Sequence, residues 1–188
     1  MRYYQARSRF TAQSAAVSAL MSMYDLLKQD EHLRLPLTPV VVFLAFSAES
    51  YLNSIGARVM PGWDEMERLP WRSKVNILHS VVRREPDWGK GPLQFAAEVF
   101  RLRDKLAHGK PEEVFGPREL TEGGPTKLAF GSAMLPEWFR AIDREWVLKA
   151  NDRFKELMLY LGGLFDLDEL DYLQTSERTV LVHDEPDA

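Results

Sequence analysis

Cysteine is absent from the 188 residues, which excludes a disulfide framework, thiolate-ligated zinc and a thiol nucleophile. His32, His79 and His183 are scattered and lack the spacing of metal ligands, so no metal site is expected. A Gly-rich phosphate loop is missing too. Gly123-Gly124 is followed by neither Lys-Ser nor Lys-Thr, and no strand pattern precedes it. The acidic residues Glu112-Glu113 and the cluster Asp166, Asp168, Glu169 and Asp171 lack the Asp/Asn and Gly pattern of a calcium loop and read as solvated faces. Apolar runs are short. The longest, Val40 to Phe46, falls well below the roughly 18 residues of a membrane span, and Met1-Arg2-Tyr3-Tyr4-Gln5 carries no apolar signal stretch. These absences predict a soluble, cytoplasmic protein with no membrane partner and no cofactor. Strand patterning is scarce, and no repeat of solenoid length is visible.

What the chain does have is a core. Its 45% apolar and 11% aromatic residues exclude a wholly disordered chain and suit one domain, which at this length buries roughly 70% of the surface exposed by the unfolded form. The net charge of −4 conceals an asymmetry. Residues 1–110 carry 16 basic and 11 acidic side chains, a net of +5, whereas residues 111–188 carry 8 and 17, a net of −9. From Arg68 to Lys110 there are ten basic residues against Glu85, Asp87, Glu98 and Asp104. A zone of this kind either receives a phosphate chain or is a solvated helix surface.

Helical periodicity dominates. Ala12, Ala15, Ala16, Ala19, Leu20, Met23, Leu26 and Leu27 recur at three- and four-residue spacing within Ser8 to Asp30. Thr38-Pro39, an N-cap followed by Pro at the first helical position, opens a strongly apolar second helix to about Arg58, the expected central one. Pro70 opens a third helix that stops before Glu85-Pro86. Pro92 opens a fourth that is ended by Gly109 and Pro111. Lys110 to Leu135 is rich in Gly and Pro and is expected to be an irregular excursion with a short hairpin. Pro136 opens the last long helical stretch, to Gly162-Gly163, with a break near Lys149 to Asp152. A short acidic helix over 164–173 follows, and residues 176–188 read as a mobile acidic tail. The fold class is therefore all-α, within a single domain spanning 1–175.

One segment carries chemistry: Phe100-Arg101-Leu102-Arg103-Asp104-Lys105-Leu106-Ala107-His108-Gly109. His108 falls in the last helical turn, where unpaired carbonyls and the negative end of the dipole favour the protonated imidazole, a useful bias for a proton donor. Arg103, five residues earlier, lies about 140° away around an ideal helix, so the two need not meet within one chain. Asp104 is placed to orient a guanidinium or imidazolium, and Lys105 adds a cation. The bland reading is a helix cap with surface ion pairs. The five tryptophans could stack bases, but their helical spacing suits core or dimer contacts better.

The stretch Leu102-Arg103-Asp104-Lys105-Leu106-Ala107-His108-Gly109 resembles the signature of the HEPN superfamily, an Arg followed by a polar residue and, four to six residues after the Arg, a His; here four residues intervene between Arg103 and His108. Phe43-Leu44-Ala45-Phe46-Ser47-Ala48-Glu49-Ser50-Tyr51-Leu52-Asn53 and Leu69-Pro70-Trp71-Arg72-Ser73-Lys74-Val75 are similar to the helices that precede the signature in bacterial members. The likeness covers about residues 10–160, and the Arg-to-His segment is its specific part. It implies an up-and-down bundle of four to five main helices, a homodimer and a metal-independent endoribonuclease that leaves 2′,3′-cyclic phosphate ends. Arg103 then stabilises the phosphorane, His108 is the general acid or base, and Glu49 and Asp104 support Arg103. Asp104 departs from the Asn common at that place and adds negative charge near a phosphate site. The resemblance also admits a catalytically silent module that binds a nucleotide or a protein partner. A toxin–antitoxin pair, stress response or defence is the implied setting, with an antitoxin-type partner.

Overall fold

The computed structural model describes residues 2–9, 11–30, 37–89, 91–116, 134–173 and 177–184. Helix α1 (Ala12–Gln29) begins at Thr11, whose hydroxyl accepts from the Ser14 amide. Helix α2 (Thr38–Val59) starts one residue earlier than its Thr-Pro signal suggests, with Leu37 as cap and Pro39 in the first turn. It is the central element, packing against α1, α3 (Trp71–Val81), α4 (Gly91–His108) and α6 (Arg144–Gly163). Val40, Val41, Leu44, Ala45, Ala48, Tyr51, Leu52 and Ile55 are all buried along it. By length and composition α2 alone among the described residues is apolar enough to cross a membrane, with 56% of its apolar window buried in the bundle. Burial against four helices accounts for that hydropathy.

A 3-10 turn, Trp63–Glu65, follows α2 and folds the buried Trp63 ring onto Gly56, where a Cβ would collide with the indole. Pro70 and Gly91-Pro92 then open α3 and α4, as the sequence predicts. The last helical stretch breaks earlier than expected. A short α5 (Glu137–Arg140) ends at Ala141, and α6 starts where Asp143 accepts from the Trp146 amide at 2.7 Å, running unbroken through Lys149 to Asp152. Asn151, within the stretch where a break was expected, is instead buried on the inner face of α6. The excursion expected over Lys110 to Leu135 carries no regular secondary structure at 109–116, and residues 117–133, where the short hairpin was expected, lie outside the described residues.

Two expectations are corrected. Residues 177–184 are not a mobile tail but strand β2 (Glu177–Asp184), antiparallel to β1 (Arg2–Arg9) with Tyr4 opposite Val182 and Ala6 opposite Val180. Residues 2–9 and 177–184 thus form a two-stranded ribbon, and the other regular elements among the described residues are helical. Asp171 is not on a solvated face. Within a 3-10 turn, Asp171–Leu173, it is buried and takes both terminal nitrogens of Arg58 at 2.8 and 2.7 Å. The amide of Gln13 donates to the Asp171 and Tyr172 carbonyls and ties this turn to α1.

Candidate functional site

Helix α4 buries Leu93, Phe95, Ala96, Val99, Phe100 and Leu102. That choice of inner face turns Ala97, Glu98, Arg101, Asp104, Lys105 and His108 into one outer stripe, at the three- and four-residue spacing of neighbours on a helix. The stripe is one wall of an open cleft of about 770 Å³, completed by Trp71 and Arg72 from α3, by Phe100, and by Gly109, Lys110 and Glu112 beyond the helix end. Gly109 makes the exit possible. A Cβ there would collide with the Lys105 carbonyl, so glycine lets the chain turn away directly after His108. The departing segment is pinned by Glu112, which accepts from Lys105 Nζ at 2.7 Å and from the Trp138 indole at 3.2 Å. The Lys105 ammonium holds the Glu112 carboxyl below its ordinary range, and the Trp138 N–H adds to the effect.

Every carboxylate on this cleft has its own cation. Glu98 accepts from Arg153 at 2.8 Å and from Trp146 Nε1 at 2.7 Å. Glu112 holds Lys105, and Asp104 lies 3.3 Å from Arg103. Arg72, Arg101 and Lys110 therefore face the cleft with no carboxylate partner among the described residues. The cleft is thus lined by four cations, Arg72, Arg101, Lys105 and Lys110, against three carboxylates, although the chain as a whole is acidic.

Arg103 and His108 take different faces of α4. Arg103 turns toward α2, with its side chain 25% exposed, Nη2 3.8 Å from Glu49 Oε2 and the guanidinium 5.4 Å from the Phe100 ring centroid. Its Nε is buried without a hydrogen-bond partner. Glu49 is held in turn by Lys74, which donates from Nζ to Oε1 at 3.1 Å. Of the four residues singled out by sequence, the structure brings Arg103, Glu49 and Asp104 together, and His108 shares the cleft with Asp104 alone. Asp104 is the link between the two faces.

Lys74 and Arg72 are the site residues that sequence reasoning missed. Lys74 did leave a signal: with Trp71, Val75 and Leu78 it completes an i, i+3, i+4, i+7 set, so a lysine occupies a core-facing position. His79 stays out of the cleft. It is buried, with Nδ1 2.8 Å from the Val75 carbonyl and Nε2 2.6 Å from the Tyr160 hydroxyl. No group of three or more metal-ligating side chains occurs among the described residues. Comparison of the chain with protein-family models, with curated proteins and with solved structures finds no match.

Proposed function

We propose that the protein is a HEPN-type, metal-independent endoribonuclease whose working site forms when Arg103 of a second copy approaches the cleft that holds His108. The observation that carries this reading is an exposed His108 at the end of α4 in an open cleft with three cations unmatched by carboxylates among the described residues. Such a cleft favours a polyanion and offers an imidazole at its rim. In the proposed reaction the RNA 2′-hydroxyl attacks its own phosphorus and gives up its proton to a general base. The bond to the 5′-oxygen breaks, and a general acid protonates that oxygen. One product end is a 2′,3′-cyclic phosphate and the other a 5′-hydroxyl. His108 takes one of the two proton-transfer roles, and the Arg103 guanidinium neutralises charge that builds on the phosphorane. The Arg103 side chain is 25% exposed, and its terminal nitrogens, 3.8 Å from Glu49 and 3.3 Å from Asp104, supply donors for that task.

A homodimer supplies Arg103 and His108 to one cleft from two chains, which the two-face arrangement on α4 requires. The setting that fits is cytoplasmic RNA turnover in a toxin–antitoxin, stress or defence role, with a protein antitoxin as regulator. A second reading is a silent module that binds a nucleotide or a protein through the same cleft, favoured by the turning of Arg103 toward α2 within one chain. Incubation with mixed-sequence RNA in EDTA separates the two. Fragments with 2′,3′-cyclic phosphate ends, lost in both Arg103→Ala and His108→Ala, support the nuclease. Saturable binding without fragments supports the silent module.

A further inference from the structure

Arg72, the second residue of α3, lines the same cleft as His108. Its guanidinium carbon sits 4.9 Å from the centroid of Trp88 and 5.4 Å from that of Trp71. The two indoles meet edge-on, with centroids 5.6 Å apart and planes at 73°, and form a corner that seats the guanidinium. The corner is anchored to the core, because Trp71 stacks on the buried Phe100 with centroids 4.4 Å apart and planes 7° from parallel. A guanidinium held by ring faces keeps its forked N–H donors unspent, and no carboxylate among the described residues uses them. A pre-ordered, charged fork at the wall of an open cleft suits one oxygen-rich anion, a phosphodiester, which it grips through two parallel hydrogen bonds. Trp71 is half-buried between Phe100 on one side and the guanidinium on the other, so its ring supports the fork from below and leaves the cation facing the cleft.

We propose that Arg72, seated in the Trp71–Trp88 corner, forms a phosphate subsite in the His108 cleft and grips the RNA backbone beside the place where His108 acts. The proposal rests on the reading that this cleft receives RNA. The fork does not depend on cleavage, and binding measured in the full-length His108→Ala protein isolates it from the chemistry.

The test follows fluorescence anisotropy of a labelled 12-nucleotide single-stranded RNA across a salt series. Arg72→Ala, added to His108→Ala, is expected to weaken binding about tenfold and to reduce the slope of log affinity against log salt by about 0.7. Arg72→Lys restores the slope but not the full affinity, because an ammonium keeps the charge without the fork. Unchanged affinity and slope in Arg72→Ala overturn the phosphate role. Binding that depends on Arg72 in a protein that cuts nothing with His108 intact keeps the subsite and removes the nuclease reading. Cleavage with an unaltered KM in the Arg72→Ala single variant keeps the nuclease and removes the subsite. No RNA binding at all removes both.

Discussion

Lys74, only 1% exposed, donates to Glu49 at 3.1 Å and has no other hydrogen-bond partner among the described residues. A buried ammonium is tolerated only with a counter-charge, so Glu49 is fixed on one side by the core and on the other lies 3.8 Å from Arg103. Removing the carboxylate leaves Lys74 uncompensated. Glu49→Ala is expected to cost about 3 kcal/mol, the low end for a broken buried pair because water reaches Glu49. Adding Lys74→Met to it should recover a large part of the loss. Urea unfolding of the two single variants and the double checks this, and additive losses would contradict it.

Gly109 fixes where α4 ends and hence where His108 stands. In Gly109→Ala the new methyl meets the Lys105 carbonyl, and backbone must move to accept it. The expected cost is about 1 kcal/mol of stability, typical of a lost helix-end geometry. The RNA-cleaving rate is expected to fall more steeply, by about tenfold or more, because the reacting group shifts. Parallel thermal-unfolding and cleavage measurements would show whether the two effects separate; equal and small changes in both would argue against a positioned His108.

The pair Arg58–Asp171 predicts how the fold responds to acid. Arg58, by hydrogen bonding and then by its charge, holds the Asp171 carboxyl below its ordinary value. A depressed carboxyl contributes stability that is complete above the unfolded value near pH 4 and is lost as pH falls through the lower folded value. Asp171→Asn should therefore be less stable than wild type at neutral pH by about 2 kcal/mol, with the gap closing below about pH 4. Guanidinium unfolding at pH 7, 5, 4 and 3 is the measurement. A gap that stays constant across the series would show that the carboxylate charge is not what matters.

The helices were legible because their signals are local. Pro70, Pro92, Gly109 and the apolar spacing of α1 and α2 act within a turn or two of the backbone, and the observed elements follow them. The ribbon was not. Tyr3 and His183 face each other across the ribbon while far apart in the chain, and neither strand shows an alternation strong enough to announce a partner that distant. The helix break went to Asp143, whose capping side chain is a stronger stop than the polar Asn151-Asp152 pair. At the site, the stripe carrying His108 was readable as a spacing. The cross-helix partners of Arg103 and the indole corner around Arg72 depend on how α2, α3 and α4 pack, which no single helix encodes.

The central claim is that Arg103 and His108 act on one phosphate from two chains, and mixing two inactive variants tests it most directly. Arg103→Ala and His108→Ala proteins, unfolded together and refolded at equal concentration, should regain about a quarter of wild-type RNA cleavage in EDTA, since half of the dimers are mixed and each holds one intact site. A mixture as inactive as either variant alone, beside an active wild type, would contradict the shared site.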